Sequence, residues 1–180
     1  MIEVHGYAIV SRDDRIADAD GRMPAALRNE ADWRYFQQGL DACDLQVLGR
    51  LGHEAHGNPK GRARMVVSGS ATGLERQAGA WWWNPGEVPW CEAAARVLPD
   101  GGRVGVPGGR GVFDLFLSLG YHAFHLSRAE AVTLPDGVPV FSACGEGITA
   151  EAALAAAGLR PGPRRVLDPE GPVSLVVWRR

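Results

Sequence analysis

Asp32 stands four residues before Phe36 and directly before Trp33, in a segment where Trp33, Phe36 and Leu40 recur at intervals of three and four. That period belongs to an amphipathic helix, opening at Arg28 or Asn29 and running to about Leu40. It sets a carboxylate on the face that carries large apolar groups. Such a carboxylate has a raised pKa, or binds the donor-rich edge of a ligand. The competing reading of Asp32 is a solvated first-turn acid favoured by the helix dipole. Glu30 points roughly 200° away on the same helix, so only one of the two acids can face a cleft.

Two glycine-rich junctions offer a second kind of chemistry. Gly49-Arg50-Leu51-Gly52 follows the apolar run Leu45 to Leu48 and precedes a short helical stretch, and Gly108-Gly109-Arg110-Gly111 follows Val104 to Val106 and opens the amphipathic Val112 to Leu119. A strand–glycine–helix junction presents bare backbone N–H groups and the positive helix end to a phosphate. Two of them in one sheet suit a dinucleotide's pyrophosphate and its 2′-phosphate, with Arg50 and Arg110 as charge partners. Taken singly, each is also what an ordinary turn looks like. Neither the G-x-G-x-x-G fingerprint nor the G-x-x-x-x-G-K-[ST] loop is present, so no Rossmann or P-loop reading is supported. His53/His56 and His122/His125 are each three apart, but the second pair falls on an expected strand, where such residues face opposite sides. No metal site is expected. Trp81-Trp82-Trp83 should alternate across a strand and pack, rather than form a stacking platform for bases. No G-x-S-x-G elbow supports a hydrolase.

The elements that must position these residues alternate. Apolar runs at Val4 to Val10, Leu45 to Leu48, Met65 to Val67, Ala80 to Trp83, Val104 to Val106 and Tyr121 to Leu126 read as strands. Helices are expected after Pro89, over Trp90 to Val97, over Val112 to Leu119 and around Ala150 to Ala157. Arg165–Leu167 and Val173–Trp178, joined at Glu170-Gly171, form a closing hairpin. The pattern implies an α/β fold: one domain over residues 1–180, with a mostly parallel mixed sheet of about eight strands, flanking helices and a C-terminal antiparallel hairpin. The chain has 180 residues, 46% hydrophobic and 22% charged, with a formal net charge of −2. A single core can carry that length, and the charge argues against nucleic acid as a partner. Lys60 is the one lysine beside eighteen arginines. No run of about 18 apolar residues offers a membrane span, and Met1 to His5 does not open like a secretory signal. Cys43, Cys91 and Cys144, odd in number and widely spaced, suit reduced thiols and a cytoplasmic location.

Several segments, in order, resemble dihydrofolate reductase. These are Leu27-Arg28-Asn29-Glu30 with Arg34-Tyr35-Phe36-Gln37, Val47-Leu48-Gly49-Arg50, Pro59-Lys60-Gly61-Arg62, Val66-Val67-Ser68, Gly108-Gly109-Arg110-Gly111-Val112-Phe113 and Leu126-Ser127-Arg128. The resemblance covers most of residues 4–141. It implies an NADPH-dependent reductase that moves hydride to a pterin C=N bond, converting 7,8-dihydrofolate to tetrahydrofolate. Under it, Asp32 is the essential carboxylate, holding the pterin's 2-amino group and N3–H, and Phe36 packs on the substrate. Ser127 falls at a hydroxyl position that supports that carboxylate. Arg62 matches the arginine that grips the folate α-carboxylate, and Ile9 and Trp33 join the substrate wall. Ala8 and Ile16 match the wall beside the nicotinamide. Gly49, Arg50, Leu51, Gly52, Ser68, Gly108, Gly109, Arg110, Gly111 and Val112 match the contacts to the cofactor's phosphates and ribose.

The pattern also departs from the family. Glu30, in Leu27-x-x-Glu30, fits the acid's position too, as though Ala31-Asp32 were inserted; the distance to Phe36 favours Asp32. Gly52 stands for a threonine, Ala25 for a tryptophan in the mobile loop, and Pro107 for the first of the usual glycines. These departures leave open a non-catalytic homologue that binds a pterin or nucleotide. Ser11-x-Asp13-Asp14-Arg15-Ile16-Ala17 is similar to the S-x-D-G-R-I-A opening of a sister group of the same fold, the pyrimidine reductases of riboflavin synthesis. That similarity implies a ribosylamino-pyrimidine phosphate as the alternative substrate.

Overall fold

A computed structural model describes residues 1–180. Strand β1 (Ile2–Ser11) leads through β2 (Arg15–Ala17) and a 3-10 turn over Ala25–Leu27 into helix α1 (Glu30–Asp41). Next come β3 (Leu45–Gly49), α2 (Arg50–Ala55), β4 (Arg64–Val67), β5 (Leu74–Gln77), β6 (Ala80–Trp83) and α3 (Trp90–Val97). The chain continues with β7 (Gly102–Val106), α4 (Arg110–Leu119), β8 (Ala123–Ala129), β9 (Val138–Pro139) and α5 (Ala150–Ala156). It closes with β10 (Arg160–Pro161), β11 (Arg165–Asp168) and β12 (Val173–Arg179).

Ten of these strands form one mixed sheet, ordered β10-β12-β8-β1-β7-β3-β4-β6-β5 with β11 also on β12. Its centre, from β8 through β1, β7, β3 and β4 to β6, is parallel. All eight strands expected from the sequence are present. The additions are short. Strand β5 pairs with β6 across an Ala78-Gly79 turn, with both residues at positive φ (47° and 80°). That is a tight hairpin without the asparagine or aspartate that usually signals it. Strand β10 has two residues, and β2 pairs with β9 outside the main sheet. Strand β8 begins at Ala123, not Tyr121, and runs on to Ala129, which brings Ser127 into the sheet. Tyr121 instead anchors the core, its hydroxyl donating to the Phe113 carbonyl.

β1 has a parallel neighbour on each side, so its run is apolar on both faces. Alternation decides what each face meets. A Cβ on Gly6 would come within 2.3 Å of the Phe124 ring, and one on Gly39 of α1 within 2.4 Å of the Tyr7 ring. Helix α4 packs Phe113 against Phe124 (ring centroids 5.5 Å apart) on the Gly6 side, while α1 packs Phe36 edge-on to Tyr7 on the opposite side. The α4 face holds a cluster of 25 buried apolar residues, including Trp83; the α1 face splits into clusters of four and three. Room for polar groups therefore exists mainly under α1. The chain leaves β1 toward α1 and its neighbour β7 toward α4, on opposite faces. Such a divergence of adjacent parallel strands opens a crevice at their C-terminal ends, where α/β sheets bind ligands.

Candidate active site

Helix α1 is set at its first turn. Asn29 caps it, its side-chain oxygen accepting from the Asp32 N–H at 3.1 Å, and its amide donates to Asp168 at 2.7 Å. The cap thus ties the helix start to the β11–β12 hairpin. From there the 3.6-residue repeat turns Asp32 to the sheet and Glu30 to solvent. Asp32 is 9% exposed. Burial pushes its carboxyl pKa up, the nearby Ser127 hydroxyl pulls the other way, and no cationic side chain acts on it. An unpaired buried carboxylate is costly to the fold, and such groups concentrate at functional sites. Ser127 is itself buried on β8, beside Ile9 of β1 and Leu175 of β12 in the strand register.

The expected apolar stripe needs one correction. Leu40 is buried and Phe36 half-buried, but Trp33 is 57% exposed, because its position on the helix turns outward of the sheet. It still lies over Phe36, with ring centroids 5.5 Å apart and planes 25° apart. Tyr7, Phe36 and Trp33 thus form a run of aromatic contacts, edge-on and then stacked, from the sheet to the surface along α1.

Arg62 lies at the other end of α1. Its Nε donates to Asp41 Oδ1 at 3.0 Å and its Nη2 to Gln37 Oε1 at 2.7 Å, with a further Nη2 contact to Asp41 Oδ1. Lys60 donates to the second Asp41 oxygen at 2.6 Å.

The phosphate-type junctions come together on one edge. Gly49 precedes α2 and Gly109 precedes α4; a Cβ on either would lie 3.5 Å or 3.9 Å from the same Val112 methyl. Gly108 and Gly109 hold φ values of 148° and 86°, in a region that side chains rarely adopt. Ser68 follows β4, the next strand along. Arg50, Leu51, Arg110 and Gly111 are exposed, and Gly52 is half-buried within α2. Neither Arg50 nor Arg110 is in an ion pair. Open backbone, free guanidinium groups and a hydroxyl along three adjacent parallel strands fit the phosphates of a dinucleotide. Ala8 is buried on the α4 side of β1, and Ile16 of β2 is half-buried against the same core, whereas Ile9 lies on the opposite face, packed with Leu27, Ala129 and Val173.

Two features escaped sequence reasoning. Tyr35, one helical turn after Asp32, shares a 2.6 Å hydrogen bond with His125 Nδ1, and His125 Nε2 lies 3.3 Å from His5 Nδ1. The His125 ring stacks on Tyr7 at 4.4 Å. Burial first, then the charge of His5 and nearby arginines, push His125 down to about 3, so it is neutral at physiological pH. His122 is separate, accepting from the Val4 N–H. No local signal joins Tyr35 to His125. The second feature is the anchor of the β1–β2 loop. Asp14 sits at φ 63°, accepts from the Ala150 N–H at 3.0 Å and pairs with Arg128 at 2.7 Å. Asp13 accepts from Ser11 and from the Leu134 N–H. Where the S-x-D-G-R-I-A opening has glycine, Asp14 adopts the left-handed conformation that glycine would supply.

Open surface grooves lie elsewhere. One, of about 510 Å³, is lined by Gly158, Arg160, Pro161, Gly162, Val177, Arg179 and Arg180; another, of about 370 Å³, lies around Met1, Glu3 and Arg103. Neither contains Asp32. Convergent buried polar groups, not open volume, mark the candidate site.

No family model and no curated protein matches the chain. Solved structures do. A protein assigned to riboflavin biosynthesis from Shewanella sp. PV-4 superposes with TM-score 0.69 at 16% identity, covering 99% of each chain. Dihydrofolate reductase from Enterococcus faecalis, complexed with NADP(H) and RAB-propyl, gives 0.67 at 14% identity, covering 99% of this chain and 96% of that one. A diaminohydroxyphosphoribosylaminopyrimidine deaminase/5-amino-6-(5-phosphoribosylamino)uracil reductase from Thermotoga maritima gives 0.66 at 15% identity; the chain spans 56% of it. With the mixed sheet and its crevice, these likenesses show that the chain has the dihydrofolate reductase-like fold.

Proposed function

We propose that the protein is an NADPH-dependent reductase that transfers hydride to the C=N bond of a pterin, with 7,8-dihydrofolate as the reference substrate and the tetrahydro form as product. The observation that carries this reading is Asp32, a buried carboxylate on which no cation acts, near Ser127 of β8 and on the same helix as the Phe36 and Trp33 rings. Its two oxygens match the paired donors of a 2-amino-pyrimidine edge, the amino group and the adjacent ring N3–H. Ser127 supports the carboxylate from β8. Phe36 and Trp33 cover the pterin and exclude water, which strengthens the carboxylate's field on the ring. That negative charge raises the basicity of N5, which must gain a proton as the neighbouring carbon gains hydride.

NADPH, when bound, supplies the hydride. Gly49, Arg50, Leu51, Gly52, Ser68 and the Gly108–Val112 junction would hold its phosphates and ribose, with Ala8 and Ile16 toward the nicotinamide. The test is oxidation of NADPH, followed at its absorbance band, in the presence of dihydrofolate. Turnover that Asp32→Asn removes supports the reading. Binding of pterin and cofactor without oxidation of any pterin or pyrimidine points instead to the non-catalytic homologue.

A second reading has its own support. The Ser11–Ala17 segment folds as a turn with Asp14 at the glycine position, and two of the similar structures carry riboflavin-pathway designations. A ribosylamino-pyrimidine phosphate in the same assay separates the two. No helix is long and apolar enough to cross a membrane; both readings take small-molecule partners.

A further inference from the structure

Resting on the pterin-reductase reading, we propose that Asp41 is a specificity-determining residue: its carboxylate fills the anion seat formed by Arg62, Lys60 and Gln37, so that the site takes a pterin head without an anionic tail. The seat is complete. Arg62 engages one Asp41 oxygen, Lys60 the other at 2.6 Å, and Gln37 braces the Arg62 guanidinium at 2.7 Å. The Arg62 side chain is only 16% exposed, so its orientation is held. Two cations on one carboxylate, one of them braced by an amide oxygen, is the arrangement a protein offers to an external carboxylate.

Position gives the seat its meaning. Gln37 and Asp41 lie five and nine residues beyond Asp32 on one helix, which at 1.5 Å per residue is roughly 8–14 Å along its axis. Asp41 lies about 180° round the helix from Asp32, so a ligand whose head binds Asp32 meets Arg62 at that range with a tail that runs along α1 and turns round its far end. Here the acid is already present, tethered to the helix at high effective concentration. It is also the last residue of α1, where the helix dipole disfavours an acid; the cations of the seat compensate for that.

The pair is partly exposed, so it competes with a tail without excluding it absolutely. An exposed ion pair changes an equilibrium by up to about five-fold; with two cations engaged, removal of Asp41 should shift affinity for a tailed ligand by about five- to ten-fold.

The test measures quenching of tryptophan fluorescence in the full chain, wild type against Asp41→Asn and Arg62→Gln, with melting curves to confirm folding. The probes are 7,8-dihydrobiopterin (head only), 7,8-dihydrofolate (head and tail) and p-aminobenzoylglutamate (tail only). Wild type should bind the two pterins with a ratio near one. Asp41→Asn should raise the ratio in favour of dihydrofolate about five- to ten-fold and improve binding of the tail-only probe by a similar factor, and Arg62→Gln should show neither gain. An unchanged ratio in Asp41→Asn, or a wild type that already prefers dihydrofolate more than ten-fold, overturns the proposal. If no pterin binds wild type, the reductase reading fails and the tail-only probe decides the seat alone. Tighter binding to Asp41→Asn upholds it; equal binding, or none to either protein, rejects it.

Discussion

Helix α1 carries two aspartates in opposite environments. Asp32, in its first turn, is buried with no cation beside it, and burial raises its pKa. Asp41, in its last, is exposed, and the hydrogen bond from Lys60, then that from Arg62, lowers its pKa. One residue type on one helix becomes a candidate proton-handling group at one end and an ion-paired strut at the other. The difference lies in what the rest of the fold brings to each end: a strand hydroxyl and aromatic rings at the first, two cations at the second. Tyr35, hydrogen-bonded to His125, pins the helix between them.

The largest effect should come from Asp32→Asn, which keeps the shape and removes the charge. Turnover with NADPH and dihydrofolate is expected to fall by about 10² or more while the fold survives. Glu30→Gln should stay close to wild type; if it is the damaging change, the contrast between the two ends of the helix has been drawn from the wrong acid.

Next comes the pin. Tyr35→Phe leaves His125 Nδ1 buried without its partner and should lower stability by about 1–3 kcal/mol in urea titrations. His125 also sets a pH dependence. Its folded value, about 3, lies below the model-peptide 6.5, so between those values only the unfolded chain binds the proton. Stability should therefore fall as the pH drops through that window, with a slope approaching about 1.4 kcal/mol per pH unit from this group. Stability independent of pH there in wild type would mean that the ring is solvated.

The two acids predict opposite signs in one melting experiment. Asp32, with its raised pKa, favours folding fully below the ordinary carboxyl pKa of about 3.9 and loses that contribution as the pH rises through its folded value. Asp41, with its lowered pKa, contributes above about 3.9 and loses that contribution as the pH falls through its folded value. At neutral pH Asp32→Asn should melt above wild type and Asp41→Asn slightly below, the latter shrinking further in high salt. The Asp32 difference should close below the ordinary carboxyl pKa, and the Asp41 difference only at lower pH, once its own lowered value is passed. The same sign for both substitutions would erase the distinction. Smallest is Ser127→Ala: with the hydroxyl gone, the acidic limb of the kcat/KM profile should move to higher pH.

Much of this arrangement was legible from residue spacing. The helical period of Trp33, Phe36 and Leu40, with the helix opening at Arg28 or Asn29, placed Asp32 within one turn, and the Gly49 and Gly108-Gly109 junctions both precede helices. Strands with strong apolar runs, such as Val104 to Val106, were found because burial on two faces writes an uninterrupted pattern. β10 was not, having two residues, and β5 was not, because Leu74–Gln77 is mostly polar and carries no apolar run. Trp33 was expected inside and lies outside, because period alone does not fix how far round the stripe extends. The Asp41–Arg62–Lys60 seat and the Tyr35–His125 pin depend on chain crossings 19 to 90 residues apart. No local pattern encodes such meetings.

Lys60 is the chain's one lysine, and it is bonded to Asp41 at a half-exposed position. It is therefore the single side-chain amine for amine-selective acylation. A tag placed there would sit beside the last turn of α1 without any engineered cysteine, and the lysine's reactivity would rise whenever the Asp41 contact loosens. The protein thus carries a built-in reporter of whether that end of α1 is engaged or free.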